Sequence, residues 1–358
     1  MLNKISIHSN IHNYQAEFYD DFSFFESIKQ IKNKAIIADA NIIRLYSDLI
    51  NKYLPGESIY SFEAIEENKT INKACEIYEW IISANAKKNM TLVSLGGGIT
   101  QDVTGFVAST LYRGINWIFI PTTLLAQTDS CIGSKTSINF KSYKNLIGTF
   151  YPPGKLFINT SFINTLTERD FYSGLGEVIK FQLMKGGDKN IDDIFALIES
   201  CKKDKSYLQK VVHEDMIIKL SYMEGDEFDA GRRNLLNYGH CFGHALESSS
   251  SYYIPHGIAV NIGIIFANII SVKRNLLNSE LSERLTHIVN KPNIYIKLRE
   301  SDFEEGKLLA ALKNDKKRIG NALTVVIPEN NNFELIKADD VTEAEFKITL
   351  NELKNILF

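Results

Sequence analysis

The chain contains 358 residues, of which 44 % are hydrophobic and 23 % are charged. This is the composition of a globular protein with a sizeable core, and it excludes a disordered or fibrous chain. The 40 basic and 43 acidic residues give a formal net charge of -3, so the chain has no overall electrostatic attraction to nucleic acid or to an anionic membrane. The length predicts two domains.

Cysteine spacing and apolar stretches indicate the compartment. The four cysteines form no CxxC pair, which excludes a disulfide framework and a thiolate zinc site and favours a reducing compartment. The first residues lack the basic and apolar pattern of a secretory signal. The longest apolar stretch, 258–272, is interrupted by Asn261 and Asn268 and is short for a membrane span. We therefore expect a cytoplasmic protein in which this stretch is a buried helix.

In the first half of the chain, apolar β-branched runs alternate with segments of helical periodicity. The predicted elements are a strand at 35–39, helices at 41–53 and 70–88, a strand at 91–95, a helix at 102–111 and a strand at 117–120. Glycines 96–98 separate the second strand from the helix after it. This alternation predicts a parallel α/β sheet of the nucleotide-binding kind.

In the second half, helical periodicity dominates. The predicted helices are 168–184, 208–223, 235–249, 258–274 and 281–289, and β-branched runs at 323–327 and 333–336 predict a hairpin. Pro152, Pro153 and Gly154 mark a loop between the two patterns. We therefore predict an α/β domain over residues 1–160 and a mainly α-helical domain over residues 161–358.

The glycine run between the strand at 91–95 and the next helix is a candidate phosphate site. Gly96, Gly97 and Gly98 allow close backbone approach, and the helix N-terminus that follows favours an anion. Because the run is not GxGxxG, it supports a dinucleotide only weakly by itself, and a tight structural turn is the alternative interpretation. Thr122 and Thr123 follow the next strand, at the end where ligands of open α/β sheets bind.

Residues 129–148 combine lysines with Gly, Ser and Asn, and we expect a polar loop there. Such a loop suits an anionic substrate or a cofactor phosphate, although an ordinary solvated loop has the same composition. Its predicted position between the two domains favours a ligand site, because clefts form at such junctions.

Three histidines and a glutamate suggest a metal site. His240 and His244 are four residues apart on a predicted helix, His256 follows, and Glu177 lies in an earlier helix. Cys241 follows His240, so this is not the HExxH motif of a metalloprotease. One carboxylate and two imidazoles are typical of a catalytic zinc site with an open position. The spacing alone also fits histidines that only form hydrogen bonds.

Basic residues precede these histidines. Lys219, Arg233 and Asn237 lie ahead of His240, and the spacing of Arg233 and Asn237 predicts that both lie on one helical face, where arginine could bind a carboxylate. An exposed basic face is the alternative interpretation. The last basic run, 313–318, has the composition of a solvated surface.

Taken in order, these motifs resemble the 3-dehydroquinate synthase family of sugar-phosphate cyclases. The resemblance covers roughly residues 35–330. The matching segments are EENK (66–69), GGGITQD (96–102), RG (113–114), PTTLLAQTDS (121–130), GSKTSIN (133–139), KNLIGTFYPP (144–153), TLTERD (165–170), GLGEVIK (174–180), DEFDAGRRNLLNYGHCFGHALE (226–247), PHG (255–257) and NDKK (314–317).

The resemblance implies a Rossmann-like NAD-binding domain, then a mainly helical metal-binding domain, in a homodimer. It implies zinc or cobalt held by Glu177, His240 and His256. It implies that NAD lies against Glu66, Lys69, Gly97, Gly98, Asp102, Thr122, Thr123, Lys144, and the segment 162–165 with Phe162 and Thr165. It implies that the phosphate of a phosphorylated sugar acid contacts Lys135, Asn145, His244 and Lys316 or Lys317, with Arg113 reaching across from a partner subunit. It also implies that the substrate carboxylate contacts Lys219, Arg233 and Asn237, and that the ring hydroxyls contact Asp129 and Lys180.

The family's reaction converts 3-deoxy-arabino-heptulosonate 7-phosphate into 3-dehydroquinate and phosphate. The resemblance implies transient oxidation by NAD, elimination of phosphate, reduction, and an intramolecular aldol closure. A metal ion is implied as the Lewis acid at the hydroxyl-bearing carbon.

Several positions depart from the family pattern. Gln101 replaces a glycine, which we expect to crowd the pyrophosphate turn, and Ser134, Ser137 and Ile258 also differ. A related cyclase acting on another sugar phosphate, such as sedoheptulose 7-phosphate, is therefore the main alternative. Retention of Arg233 favours a carboxylated substrate. A metal-dependent polyol dehydrogenase and a non-enzymatic binding protein are the remaining alternatives.

Overall fold

The computed structural model describes residues 4–84, 87–141, 143–186, 190–201, 204–290, 293, 295–313 and 322–358. The chain forms two compact units, Met1–Leu166 and Thr167–Phe358. The sequence prediction placed this division at residues 160 and 161. The 3₁₀ segment Thr160–Thr165 belongs to the first unit, because Phe162 packs with the rings of Phe22 and Tyr46 at 5.2 and 5.0 Å.

The first unit contains nine strands and five α-helices in its described residues. The strands are β1 (Lys4–Ile7), β2 (Tyr14–Phe18), β3 (Lys34–Asp39), β4 (Ile59–Phe62), β5 (Thr91–Gly96), β6 (Asn116–Pro121), β7 (Lys135–Phe140), β8 (Tyr143–Phe150) and β9 (Lys155–Ile158). The helices are α1 (Phe24–Lys29), α2 (Ala40–Leu45), α3 (Ser47–Tyr53), α4 (Ile71–Ser83) and α5 (Gly98–Thr110).

Seven of these strands form one sheet in the order β1-β2-β9-β6-β5-β3-β4. Every neighbouring pair is parallel except β1 and β2 at one edge. All six residues of β5 are buried, as expected for a central parallel strand. The strand order reverses around β3, which has β4 on one side and β5 on the other. The carboxyl ends of β3 and β5 therefore flank the position where open sheets bind ligands.

The structure confirms the strands predicted in this unit but corrects four other predictions. The helix predicted at 70–88 ends at Ser83. The helix predicted at 41–53 is two helices, and Asp39 caps the first by accepting a hydrogen bond from the amide of Asn41 at 2.9 Å. Helix α5 begins at Gly98, four residues earlier than predicted. The polar loop predicted at 129–148 is wrong. Residues 135–150 form the antiparallel hairpin β7–β8, with the buried side chains of Thr136 and Ile138 alternating with more exposed neighbours.

The second unit is mainly helical. Its described helices are α6 (Glu168–Met184), α7 (Asn190–Cys201), α8 (Lys205–Met223), α9 (His240–Ser249), α10 (His256–Lys273), α11 (Ser279–Val289), α12 (Glu305–Lys313) and α13 (Glu343–Leu357), and β10 (Leu323–Pro328) pairs antiparallel with β11 (Leu335–Val341). Helix α10 is central and contacts α6, α9, α11, α13 and β10. Among the described residues, α10 is the one helix long and apolar enough to cross a membrane. However, 83 % of it is buried inside the protein, as in a core helix.

Glycines allow α10 to approach its neighbours closely. A Cβ at Gly257 would lie 1.7 Å from the carbonyl oxygen of Ser173 on α6, and one at Gly263 would lie 1.9 Å from the carbonyl oxygen of Gly239. Neither position has room for a side chain. This close packing brings the first residue of α10, His256, next to α6 and to the start of α9.

The helix predicted at 235–249 is wrong, because two elements occupy that stretch. Gly239 adopts a left-handed conformation with φ of 78°, and it separates the 3₁₀ segment Arg232–Asn237 from α9. A 3₁₀ helix has three residues per turn. Arg233 and Asn237 therefore do not share a helical face as the α-helical spacing predicted.

Candidate active-site residues

A cluster of histidines and one glutamate lies where α6, α9 and α10 meet. The ring nitrogens available from His240, His244 and His256 lie within 4.8 Å of one another. Oε1 of Glu177 lies 3.3 Å from Nε2 of His240 and 3.3 Å from Nε2 of His256. The three predicted metal ligands therefore converge, and His244, predicted to contact phosphate, lies beside them.

Hydrogen bonds fix the orientation of two of these imidazoles. Nδ1 of His240 lies 3.2 Å from the carbonyl oxygen of Tyr238, and Nδ1 of His256 lies 3.0 Å from Oε2 of Glu247. An imidazole that donates from Nδ1 keeps the lone pair of Nε2 for a metal ion, and such outer partners are typical of metal-binding histidines. Both Nε2 atoms face Glu177.

Glu177 is fully buried beside a buried lysine. Lys180, one turn later on α6, is 1 % exposed and its Nζ lies 2.5 Å from Oε2 of Glu177. Neither carboxylate oxygen of Glu177 accepts a hydrogen bond of good geometry from a described residue, although three basic nitrogens lie nearby. Burial opposes ionisation, but Lys180 and His240 outweigh it and hold the pKa of the Glu177 carboxyl well below its usual range. A buried carboxylate with such poorly directed partners fits a cation ligand.

The pKa values of the two imidazoles facing Glu177 are shifted in opposite directions. Burial and the nearby Lys180 lower the pKa of His240. Burial also acts to lower the pKa of His256, but the carboxylates of Glu247 and Glu177 outweigh it and raise that pKa to about 10. A divalent cation bound between these side chains has to replace the proton on His256.

The donor set of this cluster fits zinc or cobalt. Carboxylate and imidazole ligands suit both ions, and three protein ligands leave a position open for substrate, as in catalytic sites. Two triads meet this description. One contains Glu177, His240 and His256, and the other contains His244 in place of Glu177.

The glycine turn between β5 and α5 lies in the first unit. Gly97 precedes the first residue of α5, and no side chain caps the helix N-terminus. The first amides of a helix have no partner within the helix, so they remain available to an anion. A Cβ at Gly96 would lie 2.4 Å from Oγ1 of Thr100, and one at Gly97 would lie 3.0 Å from Cγ2 of Thr123. A side chain at Gly96 would therefore displace Thr100, and one at Gly97 would require a small shift of Thr123.

Buried hydroxyls line the same end of the sheet. Oγ1 of Thr122 is buried and has no hydrogen-bond partner among the described residues. The amide of Thr122 donates to the carbonyl oxygen of Gly96 at 2.9 Å, which places this residue against the glycine turn. Uncapped amides beside an unsatisfied hydroxyl fit the pyrophosphate of a dinucleotide.

A second group of predicted cofactor residues forms a network around the hairpin β7–β8. Lys69 pairs with Asp102 and donates to Oδ1 of Asn145 at 2.5 Å. Oδ1 of Asp102 accepts from the amide of Ser137 at 2.9 Å. Burial raises the pKa of the Asp102 carboxyl, and Lys69 opposes that rise. Asn145, predicted to meet the substrate phosphate, lies here with a left-handed φ of 50°.

The network continues to the predicted residue Glu66. Nδ2 of Asn139 donates to Oε1 of Glu66 at 2.8 Å, and Oδ1 of Asn139 accepts from the amide of Asn145 at 2.9 Å. Lys144 Nζ lies 3.7 Å from the same oxygen of Glu66. The structure therefore brings together Glu66, Lys69, Asp102, Lys144 and Asn145.

Phe162 and Thr165 make other contacts in the first unit. The ring of Phe162 is fully buried in the apolar core, and Oγ1 of Thr165 is 3.1 Å from the hydroxyl of Tyr46. The structure gives Phe162 a packing role. Arg113 is exposed on a turn in which Tyr112 and Arg113 both have left-handed φ angles, 51° and 66°. Such backbone strain is common at functional positions.

The predicted substrate residues have different degrees of burial. In the second unit, Lys219 and Arg233 are buried, and the guanidinium of Arg233 donates to the carbonyl oxygen of Glu227. Nδ2 of Asn237 donates to the carbonyl oxygen of Asn234 at 2.7 Å. In the first unit, Asp129 is half-buried and Lys135 is exposed at the start of β7. Lys316 and Lys317, with most of the basic run 313–318, lie outside the described residues.

Sequence reasoning did not predict that three residues hold predicted ligands in place, although Asn139 lies in the polar stretch that it singled out. Glu247 orients His256, Asn139 binds Glu66, and Ser137 binds Asp102. Glu247 was detectable, because it lies two helical turns after His240 and so shares its face of α9. Asn139 and Ser137 were not, because their roles depend on the hairpin.

The side chain of Gln101, which we expect to crowd the glycine turn, is held by a hydrogen bond. Its side chain is buried, and its Nε2 donates to the carbonyl oxygen of Ser130 at 2.6 Å. The amide group is thus committed to a neighbouring segment of the first unit.

Comparisons with known proteins cover both units. The family model for 3-dehydroquinate synthase, N-terminal, matches residues 59–173, and the model for 3-dehydroquinate synthase, C-terminal, matches residues 174–318. The chain is similar to the 3-dehydroquinate synthase of Clostridium tetani, with 35 % identity over 356 residues that cover 98 % of this chain and 89 % of the relative. It is also similar to that of Dictyoglomus turgidum, with 36 % identity over 84 % of this chain and 83 % of the relative.

Solved structures with a similar fold include two cyclases. The structure of a 2-deoxy-scyllo-inosose synthase complexed with carbaglucose-6-phosphate, NAD+ and Co2+ has a TM-score of 0.85 and 24 % identity, and the match covers 98 % of this chain and 100 % of that one. The 2-epi-5-epi-valiolone synthase from Streptomyces hygroscopicus, with NAD+ and Zn2+ bound, has a TM-score of 0.84 and 22 % identity, covering 98 % and 99 %. These likenesses confirm the predicted fold class.

Proposed function

This chain belongs to the 3-dehydroquinate synthase family, and from that premise we propose that it is an NAD- and metal-dependent lyase that converts 3-deoxy-arabino-heptulosonate 7-phosphate into 3-dehydroquinate and phosphate. The observation that carries this proposal is the convergence of Glu177, His240 and His256, with both Nε2 atoms directed at one buried carboxylate. We further propose a cytoplasmic homodimer, in which Arg113 serves the site of the partner subunit.

In this proposal the second unit holds the metal ion and the carboxylate end of the substrate. Glu177, His240 and His256 are the metal ligands, and zinc or cobalt is the ion, as in the two cyclase structures. Lys180 balances the charge of Glu177 and faces a ring hydroxyl. Arg233 binds the substrate carboxylate, since a buried guanidinium binds such a group strongly.

Lys219 and Asn237 also bind the substrate carboxylate in this proposal, and Asp129 binds a ring hydroxyl. The substrate phosphate is bound by His244, Lys135, Asn145 and Lys316. The leaving phosphate carries negative charge, so nearby ammonium and imidazolium groups stabilise its departure. Holding one flexible sugar through several steps requires orientation above all.

The first unit binds NAD in this proposal. The uncapped amides at Gly97 and Gly98 take the pyrophosphate, and Thr122 and Thr123 contribute hydroxyls at the ends of the strands. Glu66, Lys69, Asp102 and Lys144, with the segment 162–165, form the rest of the cofactor site. When bound, NAD supplies a reversible hydride acceptor and the divalent ion supplies a Lewis acid at the substrate hydroxyl.

Phosphate release tests the reaction. The purified protein, loaded with zinc or cobalt and NAD, is given either 3-deoxy-arabino-heptulosonate 7-phosphate or sedoheptulose 7-phosphate, and phosphate and NADH are measured. We expect phosphate from the first sugar and no net accumulation of NADH, because the reaction returns the hydride. Phosphate from sedoheptulose 7-phosphate alone indicates a related cyclase, and NADH without phosphate indicates a dehydrogenase.

Two arginines provide a matched control for the substrate carboxylate. Arg233→Ala removes the buried guanidinium, and we expect kcat/KM for the heptulosonate phosphate to fall about a hundredfold, the effect of losing a charged pair in a protected site. Arg232→Ala removes an exposed guanidinium 5.0 Å from the ring of Tyr222, and we expect a change of less than about twofold. Equal effects of the two substitutions contradict the proposed role of Arg233.

A further inference from the structure

Gln101 and Ser130 form a reciprocal pair of hydrogen bonds. Nε2 of Gln101 donates to the carbonyl oxygen of Ser130 at 2.6 Å, and Oγ of Ser130 donates to Oε1 of Gln101 at 2.6 Å. Gln101 is 5 % exposed. Both polar atoms of this buried amide are thus used on a single residue 29 positions later in the chain.

Ser130 is the last residue of a π-helical turn, Ala126–Ser130. The last carbonyl groups of a helix have no partner within it. Gln101 supplies that partner at Ser130, so its side chain acts as a cap on the turn. Turns of this kind are uncommon and are frequent at functional sites. Asp129, a proposed substrate residue, lies inside this capped turn.

The next residue of α5 holds the other end of the same stretch. Oδ1 of Asp102 accepts from the amide of Ser137 at 2.9 Å. Consecutive residues of α5 therefore anchor the chain at Ser130 and at Ser137. Between the anchors, Gly133 and Ser134 have left-handed φ angles of 119° and 64°. Lys135, proposed to bind the substrate phosphate, lies in this anchored stretch.

The anchor at Ser130 also adjoins the glycine turn. A Cβ built on Gly98 would lie 3.5 Å from Oγ of Ser130. Gln101 and Gly98 both belong to the first turn of α5, whose amides are proposed to bind pyrophosphate. One side chain thus connects the proposed cofactor turn to the stretch that carries the proposed substrate residues.

We propose that Gln101 is a positioning residue that fixes the Asp129–Lys135 stretch relative to the glycine turn, and so sets the affinity for the sugar phosphate. The glycine that the family pattern has here lacks a side chain that could form this connection. The inference rests on the proposed function, because it assigns Asp129 and Lys135 to the substrate.

The test compares three variants of the zinc- and NAD-loaded protein with the parent. Gln101→Ala removes both hydrogen bonds, Ser130→Ala removes one and retains the other, and the double variant shows whether the two effects are coupled. Ser109→Ala is the control, since Ser109 lies on the same helix and its hydroxyl donates locally, to the carbonyl oxygen of Phe106. The measurements are KM and kcat on 3-deoxy-arabino-heptulosonate 7-phosphate, the Kd of NAD, and hydrogen exchange of residues 126–137.

We expect Gln101→Ala to raise KM about tenfold and Ser130→Ala about threefold, as for the loss of two and one neutral hydrogen bonds. The double variant should match Gln101→Ala, because both changes break the same connection. The Kd of NAD should change less than about twofold, since the amides of the turn remain. Exchange of residues 126–137 should become faster in Gln101→Ala and stay unchanged in Ser109→Ala.

Three outcomes contradict the inference. An NAD affinity that falls as much as the substrate affinity assigns Gln101 to the cofactor turn instead. Additive effects of the two single changes show that the pair is not one connection. If the parent protein releases phosphate from no sugar phosphate, the proposed function fails, and the exchange measurement then decides the positioning claim alone. Unchanged hydrogen exchange of residues 126–137 in Gln101→Ala overturns the positioning role of Gln101.

Discussion

The glycine turn of the first unit lies at the N-terminus of α5, and the proposed metal centre of the second unit combines the first residues of α9 and α10 with side chains from within α6, so different groups line the two sites. The turn presents backbone amides at Gly97 and Gly98 and neutral hydroxyls such as Thr122. The proposed metal centre consists of ionisable side chains, among which Glu177 and Lys180 are almost fully buried. Backbone groups keep their charge distribution at any pH, whereas buried charged side chains depend on one another.

This difference predicts how each site fails when it is changed. Loss of one group from a buried charged cluster leaves its partners uncompensated, which costs more than the lost contact itself. A change in the glycine turn alters the shape of a backbone surface, and the remaining amides still bind. Substitutions in the metal centre should therefore have larger effects than substitutions in the turn.

The largest effect is expected for Glu177→Gln. The neutral amide is a poor metal ligand, and it leaves Lys180 without its buried counter-charge. We therefore expect the metal to be lost and kcat to fall about a thousandfold, more than for the loss of a residue that only forms a hydrogen bond to a metal ligand. Metal content by atomic absorption and phosphate release measure the two losses.

His244→Ala separates the two possible triads. With Glu177 as a ligand, this variant keeps its metal and shows a raised KM for the sugar phosphate. Retention of metal by Glu177→Gln together with its loss from His244→Ala assigns the ion to the three histidines instead.

The second-largest effect is expected for a substitution where α6 and α10 cross. Gly257→Ala directs a methyl group at the carbonyl oxygen of Ser173, with an unrelaxed separation of 1.7 Å, so we expect a loss of about 3 kcal/mol in unfolding free energy. Urea denaturation measures it. Gly306→Ala is the control, because a Cβ there comes no closer than 3.8 Å to its neighbour Glu304. A similar loss in both variants contradicts the packing argument.

A smaller effect is expected where a side chain only orients a ligand. Glu247→Gln weakens the hydrogen bond to Nδ1 of His256, and we expect zinc affinity to fall about tenfold to a hundredfold. Competition with a fluorescent chelator gives the dissociation constant. Glu352→Gln is the control. It removes an ion pair with Lys273 at the far end of α10 and should leave the zinc affinity unchanged. A zinc affinity equal to that of the parent shows that Glu247 does not orient His256.

The smallest effect is expected in the glycine turn. The methyl group of Gly97→Ala lies 3.0 Å from Cγ2 of Thr123, which forces a small shift, and we expect the Kd of NAD to rise about tenfold. The methyl group of Gly98→Ala has ordinary contacts at 3.5 Å, so its effect should be about threefold. Calorimetric titration with NAD compares them, and the reverse order contradicts the assigned geometry.

Periodicity predicted the regular elements of both units. The buried parallel strand β5 is a short run rich in apolar residues, and α6 has the bounds that its apolar spacing predicted. The prediction failed where local conformation depends on a few backbone angles. Gly239 divides a continuous helical pattern through its left-handed conformation, and such a break is invisible to periodicity. The hairpin β7–β8 was mistaken for a loop because its polar residues hide the alternation.

The site was predictable where ligands lie close together in the sequence. The spacing of His240, His244 and His256, together with Glu177 in an earlier predicted helix, suggested a metal site, and the resemblance narrowed the ligand set to Glu177, His240 and His256. Partners that lie on other elements were not predictable. The hydrogen bonds that join Asn139 to Glu66 and Gln101 to Ser130 depend on tertiary contacts, which no spacing rule predicts.

The close approach of α6, α9 and α10 has a consequence for the amount of enzyme in a cell. An ion bound by ligands from three helices acts as a cross-link between distant parts of the chain, and its binding free energy adds to the folding free energy by mass action. Each tenfold rise in free metal above the dissociation constant adds about 1.4 kcal/mol at saturation. If the proposed ligands hold the ion, we therefore expect metal supply to change the stability of the folded chain as well as its activity.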